Sequence, residues 1–61
     1  MTQRALYDQL VMLLSLKQFV PLMGGNMTYA DKAKRAKRVS KSARVHALAD
    51  TIIALAEKEN T

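Results

Sequence analysis

The sequence predicts an all-α fold: a small helical hairpin or three-helix module that pairs with a second copy into a homodimeric helical bundle. Three observations lead there. Glycine and proline occur only between Pro21 and Gly25, which leaves one obvious interruption in the chain. Apolar residues recur at helical spacing on both sides of it, with no strand-like alternation. Finally, 61 residues without a cysteine make a small core, one that covers only about 60% of the surface exposed by the unfolded chain. With disulfides excluded, a second copy is the natural source of further burial.

The elements follow in order within one domain spanning 1–61. Thr2 offers a hydroxyl cap for an apolar helix over 2–20. Pro21 lacks a backbone donor and disfavours helical geometry in the residue before it. Gly24-Gly25-Asn26 then tolerates the reversal of a turn over 21–27. The glycine pair lacks the lysine and the spacing of a phosphate-binding loop, so it is read as a turn. Thr28-x-x-Asp31 has capping-box spacing and opens a basic helix over 28–39. An amphipathic helix over 42–58 completes the chain.

On a helical wheel the first arm is apolar on two sides. Ala5, Leu6, Leu10, Met12, Leu13, Leu14, Leu16, Phe19 and Val20 cover roughly 220° of the circumference, against little more than 100° for a helix on one side of a monomeric core. Only Asp8, Ser15 and Gln18 mark a wet edge. Met12, Met23 and Met27 read as adaptable packing residues. One further arm of the same chain cannot cover such a surface, so the expectation is an oligomer interface. It is assigned to Leu6, Leu10, Leu13, Leu14 and Phe19, joined by Leu48, Ile52 and Leu55 from the last helix.

The second arm changes its apolar side part-way. Ala33, Ala36, Val39, Ser40, Ala43 and Ala47 share one arc, with Lys34, Lys37, Arg38 and Lys41 opposite. From Val45 the apolar set is Val45, Leu48, Ala49, Ile52, Leu55 and Ala56, and it points roughly 160° away from the alanine face. Two geometries satisfy the switch. A continuous helix has two halves that pack on different neighbours, with Val45, Leu48, Ile52 and Leu55 forming a short coiled-coil seam. Alternatively the helix breaks at Ser40-Lys41-Ser42, where serine hydroxyls compete for backbone groups and cap a new helix. The break is favoured, because two short helices let one small core bury both faces.

Charge is as uneven as hydropathy. The formal net charge is +5. Lys32, Lys34, Arg35, Lys37, Arg38, Lys41 and Arg44 follow one another with no acid between them, while the rest of the chain carries three cations against five acids. Crowding like charges costs self-repulsion, and such asymmetry suggests a polyanionic partner. The candidate nucleic-acid-binding residues are Lys34, Arg35, Lys37, Arg38, Lys41 and Arg44. The segment has no aromatic for base stacking and no asparagine or glutamine to read adenine. Duplex DNA held by its phosphates is therefore favoured over RNA or single strands.

At the switch, "VSKSARVHAL" from Val39 to Leu48 resembles the turn and second helix of helix-turn-helix proteins, in which a Val-Ser step precedes the recognition helix. The resemblance covers ten residues. Arg38 stands where that pattern turns on glycine, Arg44 where it buries an aliphatic, and Ala33 is one position off its usual alanine. The resemblance implies DNA binding and assigns no base-reading residue.

Catalysis is not expected. Ser42, His46 and Asp50 lie at i, i+4 and i+8, the residue types of a nucleophilic triad, but a straight helical row supplies neither a concavity nor oxyanion donors. The row reads as a polar helix edge with a His46–Asp50 pair. One histidine, no cysteine and scattered acids give no metal-ligand spacing. No cofactor is implied. The apolar run from Leu10 to Leu16 is far shorter than the roughly 20 residues of a membrane span. No cleavage-site pattern follows it, so a cytoplasmic location is expected. Alanine methyls opposite the lysines are a poor membrane anchor. The composite expectation is a DNA-binding transcription regulator; the alternative is a small helical inhibitor or adaptor on an acidic protein surface.

Overall fold

The computed structural model describes residues 2–59; Met1, Asn60 and Thr61, the ends of the 1–61 domain, lie outside the described residues. All regular structure there is helical. Four α-helices are present, α1 (Gln3–Met12), α2 (Leu16–Phe19), α3 (Tyr29–Val39) and α4 (Ala43–Glu59), with a 3-10 turn at Val20–Leu22.

The first arm corrects the single helix expected over 2–20. Thr2 does cap α1, its hydroxyl accepting from Ala5 N at 3.1 Å. The helix then closes at Leu13, where the Leu13 and Leu14 amides donate to the Leu10 and Val11 carbonyls. Ser15 is extended (φ −72°, ψ 163°) and starts a new helix with a reciprocal capping box. Its hydroxyl accepts from Gln18 N at 3.3 Å, and Gln18 Oε1 accepts from Ser15 N at 3.1 Å. Two amide donors that a helix start leaves unpaired are satisfied together. Pro21 sits at the start of the 3-10 turn, where no amide donor is required. The first arm therefore bends twice before the loop, and Leu22 ends fully buried.

The turn into α3 contains Gly25, the one described residue with positive φ (+22°), a conformation that glycine adopts without a Cβ penalty. Thr28 caps α3 by accepting from Asp31 N at 3.2 Å. At the other end Ser40 leaves helical geometry (φ −124°, ψ 140°). Its hydroxyl accepts from Ser42 N at 3.2 Å, and that of Ser42 accepts from Val45 N at 3.4 Å. The second arm is thus two helices joined by Ser40-Lys41-Ser42. Reorientation at this corner lets the alanine face of α3 and the Val45 face of α4 point into one core.

That core comprises Leu6, Tyr7 and Leu10 from α1, Leu22 from the 3-10 turn, Ala33 and Ala36 from α3, and Val45, Ala49 and Ile52 from α4. Helix α4 packs on both α1 and α3. Ala33, Ala36 and Ala49 are wholly excluded from solvent, and such small side chains let two helix backbones approach closely. At the open end of the bundle, Gln3 Nε2 donates to Glu59 Oε2 at 2.9 Å, tying the start of α1 to the end of α4.

The oligomer seam expected from the wheel is redistributed by the fold. Leu6, Leu10 and Ile52 are inside the protomer's own core, and Leu14, Phe19, Leu48 and Leu55 pack half-buried against it. Only Leu13 of that set is exposed. The bend at Ser15 is the cause: it sends Leu14 and Phe19 inward and turns other apolar side chains out.

Candidate nucleic-acid interface

Helix α3 buries Ala33 and Ala36 and thereby presents Lys34, Arg35 and Arg38 to solvent. Lys41 is exposed in the corner, and Arg44 is exposed on the first turn of α4. Among the described residues these five cations make no ion pair, side-chain hydrogen bond or ring contact. The first turn of α4 contains no acid, so the positive end of its dipole adds to Lys41 and Arg44. Asp31, exposed on the first turn of α3, is the carboxylate nearest in sequence to this ridge.

Two other cations of the segment are engaged. Lys37, expected in the binding set, donates to Asp50 Oδ1 at 2.6 Å across the α3–α4 contact. The two side chains remain 37% and 60% exposed, so the pair contributes about 0–1 kcal/mol. It nonetheless removes one free charge from the ridge. Lys32 has its ammonium over two rings, 5.3 Å from the Tyr7 centroid and 5.7 Å from that of Tyr29. The rings are themselves 5.3 Å apart and tilted by 51°. A cation over two aromatic faces is favourably placed. Burial pushes the Tyr7 hydroxyl above its ordinary value of 10.0, helped by neighbouring Tyr29 and Asp8. Sequence patterning did not nominate Lys32; its i, i+3 relation to Tyr29 was the available signal.

The Ser42–His46–Asp50 row has three separate partners, and the His46–Asp50 pair is not formed. Ser42 Oγ caps α4, and Asp50 pairs with Lys37. His46 Nε2 lies 2.6 Å from the Ser40 carbonyl. A carbonyl only accepts, so Nε2 carries the proton and donates. His46 thus fastens the α3–α4 corner. No group of three or more His, Cys, Asp or Glu among the described residues is placed to hold a metal ion. No helix among them is long and apolar enough to cross a membrane.

The chain matches no family model, no curated protein and no solved structure. Against the helix-turn-helix pattern that Val39–Leu48 resembles, the geometry differs in two definable ways. The corner turns through an extended Ser40 instead of a left-handed residue, which is why Arg38 can stand where glycine is usual. The buried aliphatic is Val45, one residue beyond the exposed Arg44.

Proposed function

We propose that this chain is a small nucleic-acid-binding protein, a DNA-binding regulator in class, that works as a homodimer and grips duplex phosphates with Lys34, Arg35, Arg38, Lys41 and Arg44. The observation behind this reading is that five exposed cations fall within eleven residues and none has an ion-pair partner among the described residues. Their mutual repulsion would be relieved by an external polyanion. Alanine packing on the back of α3 supports the same reading, because it anchors the helix without using the long side chains. Each phosphate neutralised releases condensed counterions, the source of most sequence-independent affinity. The three arginines have the fork geometry to contact guanine edges.

The test is a salt-titrated anisotropy comparison of duplex DNA, structured RNA and polyglutamate at matched charge. Tightest binding to the duplex, with steep loss on adding salt, is expected. Preference for polyglutamate would move the assignment to the acidic protein surface that is the alternative for the same charges. No binding to any of the three would remove it.

A further inference from the structure

We propose that the corner formed by the end of α1, by α2 and by the 3-10 turn after it is the surface on which a second copy of this chain docks, each protomer using the same patch. This deepens the self-pairing in the reading above and rests on it, but it does not depend on nucleic-acid binding. Met12 is 84% exposed, Leu16 77%, Met23 64%, Val20 57% and Leu13 44%. For residues of this size the five together expose roughly 600 Å², backbone included, comparable to the largest patches that monomers present. A twofold pairing that covered all of it on both copies would bury about 1,200 Å², where specific interfaces begin.

The patch is built to receive itself. Beside its projecting side chains lies a groove of about 280 Å³ lined by Gln9, Met12, Leu13, Arg44 and Leu48, ample for a leucine or methionine side chain. A surface that carries both a projection and a recess satisfies a twofold pairing, in which each copy offers both. Methionine adapts to the remaining mismatch. Lys17 is the one charged residue from Met12 to Met23. The patch therefore offers little to a polyanion, and an acidic protein would be drawn to the ridge instead. Arg44 belongs to both ridge and groove, so pairing flanks the seam with two cationic ridges.

The charge also fixes the sign of the salt effect. Two chains of formal charge +5 repel, so screening should strengthen this pairing, whereas docking of an acidic partner would weaken. Sedimentation equilibrium without nucleic acid, at low and high sodium chloride, tests the proposal on the whole chain. Wild type should dimerise, more tightly in high salt. Leu16→Glu should weaken pairing by at least about 100-fold, because it places an unpaired carboxylate in an apolar seam. Ala54→Glu, on the exposed side of α4, should leave pairing unchanged. A second measurement guards against loss of helicity in the Leu16 variant. The chain has no cysteine, so Met12→Cys should cross-link on oxidation well above an Ala54→Cys control.

A wild type that stays monomeric at about 100 µM overturns both the surface and the self-pairing. A dimer insensitive to Leu16→Glu that also fails to cross-link at residue 12 overturns this surface and leaves self-pairing intact. Neither outcome touches the nucleic-acid assignment, which the duplex titration decides alone.

Discussion

Replacing Lys34, Arg35 and Arg38 together with alanine removes three of the ridge's five cations without touching the core, since all three side chains are exposed. Alanine is the strongest helix former, so α3 should keep its helicity. If each free cation neutralises one phosphate, a wild-type protomer has a log affinity against log salt slope of about −4.5 on duplex DNA. Its affinity then falls roughly 500-fold between 50 and 200 mM salt. The triple variant retains Lys41 and Arg44, with a slope of about −1.8 and a loss of only about 12-fold. A pair of protomers on one duplex doubles both slopes and preserves their ratio. Asp50→Asn is the opposing perturbation: it releases Lys37 from its ion pair with Asp50 and should steepen the slope by about 0.9. Fluorescence anisotropy on one labelled duplex measures all three proteins. A triple variant whose slope stays within about half a unit of wild type would refute the phosphate assignment, whatever happens to absolute affinity.

Three further outcomes concern the scaffold. Ser15→Ala removes the hydroxyl that caps α2 and should cost about 1 kcal/mol, read as a fall of roughly 4–8 °C in thermal denaturation by circular dichroism; an unchanged Tm would show that α2 does not need its cap. Ala36→Leu inserts bulk where α3 enters the core with no solvent access and should destabilise by about 1–3 kcal/mol in urea, whereas exposed Ala54→Leu should not. Tyr7 supplies a pH dependence. Its hydroxyl is held above 10.0 chiefly by burial, so the unfolded chain loses that proton first. The resulting stability is complete below pH 10 and drains away as pH rises from there through the folded-state value. Tyr7→Phe should flatten that alkaline decline in urea midpoints, and an equally steep decline in the variant would exclude Tyr7 as its source.

Two breaks in this chain use the same chemistry, and only one of them was legible. At Ser40–Ser42 the apolar face changes sides, so periodicity itself signals that one helical axis cannot serve both halves. At Ser15 the same residue type starts a helix, and Ser15-x-x-Gln18 is a regular capping-box signature. The first arm is apolar over roughly 220° of its wheel, however, and so broad an arc shows no change of side. The total excess of apolar surface was readable from the sequence; its location was not. Leu6 and Leu10 are inside and Leu16 and Met23 outside because of a bend that the wheel, which assumes one axis, cannot represent.

The candidate site divides along the same line. That Lys34, Arg35 and Arg38 are exposed follows from the alanines opposite them, a local relation within α3. The fates of Lys37 and Lys32 are tertiary. Asp50 is thirteen residues from Lys37, and Tyr7 lies on another helix from Lys32. Helices α1 and α4 must be docked before either contact exists. Both contacts draw charge away from the flanks of α3 and leave the uncompensated cations on its outer face and at the corner leading into α4. Folding therefore concentrates the ridge to a narrower band than the sequence suggested. A repulsive band that local pairing could have relieved, but does not, is more costly to keep than a diffuse basic surface, and that cost falls where an external polyanion can offset it.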